Sequence, residues 1–313
     1  MSAGGDGERE RTAWFDLPPA VHAEVARVLG GPVVEVIPQL GGYSPGSADR
    51  VRAAHGRRAF VKAVGRDQNE HSIQIHRREA AVMAQLPRSV PAPQLLGSFD
   101  DNAWVVLVLE DIEGRHPHIG TGSSDASAVL AALQAHPVVR GSGLDLPNAA
   151  DELSEDFAAW RRVRSAGVTK LPAWVLENYD RLEDASSRAA VAVQGDVLVH
   201  LDLRADNVLI TNKGTAVIID WPWAGVGAPW LDGLTYLLDG RLRGDTFDAN
   251  EVIARHPLFD PATADQIDAV LAGLAGMFFE RAAQPPPSSM PTLRQFQWDQ
   301  AVAAVEWLEE RWR

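Results

Sequence analysis

Apolar residues first recur at helical spacing in PPAVHAEVARVLGG, residues 18–31. Asp16, followed by Leu17, Pro18 and Pro19, marks a helix start, and Gly30-Gly31 marks its end. The period then shortens. VVEVIPQL (33–40) reads as a strand, GGYSPGSA (41–48) as a glycine-rich turn, and DRVRAAHGRRAFVKAV (49–64) as two strands joined at His55-Gly56. Helical spacing returns over residues 69–86 and stops at Pro87. A proline-broken loop leads to LLGSF (95–99) and then to WVVLVLEDI (104–112), a buried strand. Beyond Gly114 the pattern is mostly helical: residues 123–136, 150–167, 173–193, 231–242, 261–283 and a last helix from about Thr292. Only VLVHLDLRADNVLI (197–210) and AVIIDWPWAG (216–225) interrupt it, as a short strand pair.

The element order predicts an α+β fold of two lobes: a small antiparallel-sheet lobe over residues 13–113, and a larger, mainly helical lobe over 114–313. Residues 1–12, MSAGGDGERERT, read as a disordered tail. A chain of 313 residues is long enough for each lobe to have its own core. No internal repeat is visible.

Composition adds little to this and excludes some chemistry. The chain has no cysteine, so disulfides, thiol nucleophiles and thiolate metal sites are absent. No apolar run approaches the roughly 18–20 residues of a membrane span, and the tail lacks the apolar core of a secretory signal, so a cytoplasmic protein without membrane contact is expected. Net charge is −13. Residues 1–113 hold 12 Lys/Arg and 15 Asp/Glu, net −3; residues 114–313 hold 17 and 27, net −10. Such a balance predicts no nucleic-acid partner and suits a cationic ligand on the second half.

Candidate chemistry lies in an ordered series. VHLDLRADNVLI carries His200, Asp202 and Asn207 in an H-x-D-x-x-x-x-N pattern, and Asp220 ends the apolar run AVIID thirteen residues later. A carboxylate, an amide and a second carboxylate are hard oxygen donors that suit Mg²⁺ together with phosphate oxygens and water. The spacing matches the catalytic loop and metal-binding aspartate of kinases. Upstream, Lys62 sits inside the apolar strand AFVKAV, where a cation needs an anionic partner. Glu79, seventeen residues on, is the candidate partner. The turn GGYSPGSA, with Gly42, Ser44, Gly46 and Ser47, supplies N–H groups and hydroxyls that can cover phosphates. No one of these is specific; the order is.

On these residues, and on IDWPWAGVGAPWLD (219–232), the chain resembles the aminoglycoside phosphotransferase family, protein-kinase-like enzymes that include choline and homoserine kinases. The resemblance covers roughly residues 33–240. The Asp-Phe-Gly and Ala-Pro-Glu landmarks of protein kinases are missing, and the glycine loop departs from G-x-G-x-x-G-x-V. The resemblance implies ATP or GTP and Mg²⁺ as cofactors. It implies that Asp202 is the catalytic base, that Asn207 and Asp220 hold the metal, and that Lys62 paired with Glu79 binds the α/β-phosphates. Ser44 through Ser47 would cover the triphosphate. Glu110, Asp111 and Ile112, at the end of the strand, would line the adenine site, with Asp111 and Ile112 giving backbone hydrogen bonds. His200 and Asp232 would brace the catalytic loop. Arg204 would either neutralise the transferred phosphoryl group or pair with Asp206.

Acceptor contacts are expected from the helical lobe. Candidate carboxylates are Asp151, Glu152, Glu155, Asp156 and Asp299, and candidate aromatic faces are Trp160, Trp223, Trp230, Trp298 and Trp307. Carboxylates would meet amino groups, and tryptophan faces would meet sugars or quaternary cations. The leading expectation is an antibiotic-type kinase acting on a hydroxyl of an aminoglycoside or another cationic small molecule, as a monomer or homodimer. A metabolic kinase for choline, homoserine or an amino sugar, a non-catalytic pseudokinase and a protein kinase are the alternatives.

Overall fold

The computed structural model describes residues 11–39, 46–67, 70–118, 120, 123–166, 171–287 and 290–313. The chain divides into two compact units. One comprises the residues through Arg88, with Ala92–Glu113 and Ile219–Pro222. The other comprises Ser89–Pro91, Gly114–Ile218 and Trp223–Arg313.

The first unit contains α1 (Pro19–Leu29), β1 (Val33–Pro38), β2 (Ser47–Ala53), β3 (Arg58–Gly65), α2 (Glu70–Met83), β4 (Leu95–Asp100) and β5 (Trp104–Leu109). The strands form an antiparallel sheet in the order β1-β2-β3-β5-β4. Helix α1 begins with proline, whose fixed φ suits a first turn, and ends at Gly30 in the left-handed conformation. Its N-cap is Pro18, and Asp16 falls in a preceding 3₁₀ turn rather than at the helix start. Val21, Val25 and Leu29 of α1 pack with Val51, Ala59, Val61, Ala63, Val106 and Val108 into one core. Period-2 alternation therefore places Ala48, Arg50, Phe60 and Lys62 on the opposite face of the sheet.

The second unit opens with β6 (Gly114–Arg115) and α3 (Asp125–Gln134). It continues through α4 (Ala149–Phe157), α5 (Ala159–Ser165), α6 (Ala173–Glu177), α7 (Tyr179–Ser186) and α8 (Ala189–Ala192). Short strands follow: β7 (Val197–Val199), β8 (Val208–Thr211), β9 (Ala216–Ile218) and β10 (Gly225–Gly227). The chain closes with α9 (Leu231–Leu242), α10 (Ala249–Arg255), α11 (Ala264–Ala282) and α12 (Leu293–Arg311). Strand β8 pairs with β6 and β9, and β7 pairs with β10. Helix α11 is the centre of this unit. A Thr263–Gln266 capping box starts it, and it packs against α4, α5, α7, α8 and α12.

Two helices expected to be continuous are divided. Residues 150–167 break at Ala158, between Phe157 and Trp160, which both pack on α11 where Gly273 and Gly276 leave no room for a Cβ. Residues 173–193 break first at Asn178, whose side-chain amide donates to the Trp174 carbonyl at 2.9 Å and competes with the helical ladder.

Buried histidines set an acid limit on stability. His76 on α2 donates through Nδ1 to the Ser72 carbonyl at 2.9 Å, and His136 does the same to the Leu198 carbonyl at 3.0 Å. Burial pushes both imidazoles down to about 4, with the Lys62 charge adding to the effect at His76. A histidine depressed on folding stabilises the protein above its unfolded value of about 6.5 and loses that contribution as pH falls toward the folded value. We expect the unfolding free energy from urea melts to fall between pH 7.5 and pH 5, by on the order of a few kcal/mol in total, and His136→Gln to flatten the dependence. A midpoint independent of pH across that window would contradict this.

Candidate active site

The sheet face opposite α1 carries the first cluster. Lys62 Nζ donates to Glu79 Oε1 at 2.7 Å and Oε2 at 2.8 Å, and to Asp220 Oδ1 at 2.7 Å. Glu79 is buried on α2, while the Asp220 side chain is 46% exposed. Burial alone would lower the Lys62 ammonium, but Asp220 and Glu79 outweigh it and hold it above the ordinary lysine value. Burial pushes the Glu79 carboxyl up, against the pull of Lys62; the Trp221 backbone also hydrogen-bonds it. One cation and two carboxylates leave the cluster with a spare negative charge beside solvent. Asp220 adopts φ +67°, uncommon for a residue with a Cβ.

The second cluster is built on the β7–β8 connection. Asp232, buried on α9, accepts from the N–H of His200 at 2.6 Å and of Leu201 at 3.0 Å. Those two bonds hold Leu201 at φ +65°. Asp202 N–H donates to His200 Nδ1 at 3.3 Å. Asn207 Nδ2 donates to the Asp202 carbonyl at 2.8 Å and approaches Asp202 Oδ2 at 3.4 Å. With the nitrogen so directed, Asn207 offers its side-chain oxygen as the atom able to meet a cation. A further brace is absent from the sequence reading: Asp239, also buried on α9, accepts from Ala205 N–H at 2.8 Å and from Arg243 Nε at 2.9 Å. Its heptad spacing from Asp232 is the only hint the sequence holds. Arg204 pairs with Asp206 at 3.1 Å and lies over the Phe296 ring at 5.6 Å, which favours the pairing reading.

The residues after β5 are tied to β2 and β3. The buried Asp111 carboxylate is ion-paired with Arg50 Nε at 3.2 Å and Arg58 Nη2 at 2.6 Å. Arg50 Nη2 also donates to the Ile112 carbonyl at 2.7 Å. The Glu110 N–H is taken by the Gln94 carbonyl at 2.8 Å. No local motif marks Arg50 or Arg58, and sequence reasoning missed both.

Several expected contacts are reassigned. Ser47 is 3% exposed and its hydroxyl donates to Asp49 on the face covered by α1, so it does not share a face with Lys62. At Gly46 a Cβ would strike the Ala63 carbonyl, so close backbone approach accounts for the glycine. Gly42 and Ser44 lie outside the described residues. Trp160, Trp230 and Trp307 are buried and cannot present a ring face to an acceptor. Trp160 is a core residue, stacked edge-on to Tyr179 and donating to the Ala272 carbonyl at 2.8 Å. Trp307 donates to Asn250 at 3.0 Å. Asp156 is paired with Arg281 at 2.8 Å, and Asp299 accepts from Gln295 at 2.8 Å. Glu155 is exposed and only 3.7 Å from Arg162. Asp151 and Glu152 are exposed, and Trp223 and Trp298 are half-buried.

The sequence model of the phosphotransferase enzyme family matches residues 43–267. The chain belongs to this family. Solved structures share its kinase-like α+β fold over nearly the whole length. An aminoglycoside phosphotransferase from Alicyclobacillus acidocaldarius is 17% identical with a TM-score of 0.55, covering 97% of this chain and 98% of that one. A choline kinase from Streptococcus pneumoniae is 17% identical with a TM-score of 0.56, covering 92% and 98%. A spectinomycin phosphotransferase, in complex with ADP and spectinomycin, is 16% identical with a TM-score of 0.56, covering 90% and 92%. No curated protein matches the chain. No helix among the described residues is long and apolar enough to cross a membrane.

Among the described residues no group of three His, Cys, Asp or Glu side chains is arranged to hold a metal. Mg²⁺ commonly takes only one or two protein oxygens and completes its shell with phosphate and water. Asp220 and Asn207 are each oxygen donors of the kind that Mg²⁺ takes.

Proposed function

We propose that this phosphotransferase moves the γ-phosphoryl group of ATP to a hydroxyl of a small, polar, cationic molecule, of which an aminoglycoside or related antibiotic is the leading case. The observation that carries the reading is Lys62 held by Glu79 and Asp220 on one sheet face. A lysine kept charged and immobile at that point meets phosphate oxygens without further ordering.

In this reading the acceptor hydroxyl approaches Asp202. As its oxygen bonds to the γ-phosphorus, the bond from that phosphorus to the β–γ bridging oxygen breaks and ADP leaves. The Asp202 carboxylate orients the hydroxyl and takes its proton. Asn207 and Asp220 would hold Mg²⁺, which would supply charge neutralisation at the phosphates. Lys62 fixes the α/β-phosphates, and Glu110, Asp111 and Ile112 line the base site. Most of the rate enhancement is positioning and charge neutralisation.

Among the acceptor candidates, Asp151, Glu152, Glu155, Trp223 and Trp298 keep accessible surface. Acidic and aromatic groups together suit amino or quaternary ammonium compounds. A choline-type acceptor is the second reading, favoured by the likeness to a choline kinase. The test is ADP release by purified protein against aminoglycosides, nucleoside and peptide antibiotics, choline, homoserine and amino sugars. We expect a cationic hydroxyl compound to raise release well above the acceptor-free rate. ATP binding with no turnover on any cationic compound would overturn the charge argument.

A further inference from the structure

The segment Glu110–Ile112 is held by a charged assembly with no evident role in folding the sheet. Arg50 from β2 and Arg58 from β3 both reach the buried Asp111 carboxylate, at 3.2 and 2.6 Å. Neither Asp111 oxygen receives a well-directed hydrogen bond among the described residues, so the link is an ion pair. Arg58 in addition pairs with the exposed Glu113. Arg50 instead donates through Nη2 to the Ile112 carbonyl oxygen at 2.7 Å. Among the described residues the Ile112 N–H has no backbone partner. Among the described residues, Ile112 thus combines an N–H without a backbone partner with a carbonyl covered by a cation.

That combination discriminates between purines. Adenine presents an acceptor at N1 beside the N6 amino donor; guanine presents an acceptor at O6 beside donors at N1 and N2. A peptide that offers its N–H can meet adenine N1 or guanine O6. Guanine then needs an acceptor for its adjacent donors, and the carbonyl of the same residue is the nearest one. With a guanidinium already on that carbonyl, the guanine N–H groups face a positive charge in place of an acceptor. A cation set against the wrong ligand is a specificity device. Building on the reading of this segment as the base site, we propose that Arg50 is a specificity-determining residue that makes the enzyme select adenine over guanine nucleotides, through the Ile112 carbonyl.

The test separates Arg50 from its neighbour. Arg50→Met and Arg58→Gln each take one arginine from Asp111, and only the first uncovers the Ile112 carbonyl. Dissociation constants for ATP and GTP, each with Mg²⁺, are measured calorimetrically on the full-length wild type and both variants. The wild type is expected to bind ATP at least about tenfold more tightly than GTP, and Arg50→Met to narrow that ratio by about tenfold, the scale of one charge-assisted hydrogen bond. Arg58→Gln should leave the ratio within about twofold. An unchanged ratio in Arg50→Met, an equal shift in Arg58→Gln, or a wild type that favours GTP overturns the proposal while leaving nucleotide binding intact. A wild type that binds neither nucleotide overturns the base-site reading as well. If Arg50→Met does not fold, Arg50→Gln, which removes the charge and keeps a donor, is judged on the same ratio.

Discussion

Asp202→Ala is expected to lower kcat by about 10²–10⁴, the scale of losing a general base, while leaving the melting temperature close to that of the wild type. The two halves of this expectation have separate causes. The loop carrying Asp202 is shaped by other groups: Asp232 on the N–H of His200 and Leu201, Asp239 on the N–H of Ala205, and Asn207 on the Asp202 main-chain carbonyl. The last of these survives truncation because its acceptor is backbone. Asn207 Nδ2 also approaches the carboxylate at 3.4 Å, the outer margin of a hydrogen bond. Its removal takes away the proposed proton acceptor and leaves these main-chain braces in place. Asp202→Asn should lose comparable rate, since the amide keeps the shape and cannot accept the hydroxyl proton. Steady-state kinetics on the best acceptor from the ADP-release screen checks both variants. Near wild-type turnover in either would remove Asp202 from the role of base. Asp232→Ala gives the contrast. It strands two buried N–H groups, with Leu201 held at a positive φ, and should lower stability by about 2–4 kcal/mol before any effect on rate is read.

What the sequence made legible follows from what is local. The order helix, strand, strand, strand, helix, strand, strand through residue 113 matches α1 to β5, because alternation and helical spacing are properties of single segments. The lysine in AFVKAV announced a partner because an ion in an apolar strand requires one, and the structure brings Glu79 to it. What stayed hidden depends on distant neighbours. Trp160 and Trp298 look alike in a helical pattern, yet the first is enclosed by α11 and the second keeps surface. Asp111 looks like a plain polar residue at a strand end, and only strand register shows two arginines converging on it. Residues 219–222 fall in the second half of the chain and cluster with the first unit, which no linear division at residue 113 can express. The same holds for Asp239, whose target lies 34 residues earlier on a loop.

Asp220→Ala should abolish Mg²⁺-dependent turnover, a loss of at least about 10³, with a smaller effect on folding. Asp220 is the exposed member of its cluster, and removing it leaves Lys62 paired with both Glu79 oxygens, at 2.7 and 2.8 Å. The reverse truncation is not equivalent. Glu79→Ala leaves Lys62 with a single half-exposed partner, and Lys62→Met leaves the buried Glu79 beside Asp220 with no cation between them, so both should destabilise by a few kcal/mol. The cluster thus predicts an asymmetry. Asp220→Ala combines a nearly normal urea midpoint with lost activity, whereas Lys62→Met loses both. In the proposed role of metal ligand Asp220 is not replaced by mass action, so the variant should also fail to regain rate when Mg²⁺ is raised. Paired urea melts and rate measurements over a Mg²⁺ series decide the matter. Turnover recovered at high Mg²⁺ would show that Asp220 only tunes the charge on Lys62, and a collapsed midpoint in Asp220→Ala would show that its ion pair belongs to the fold.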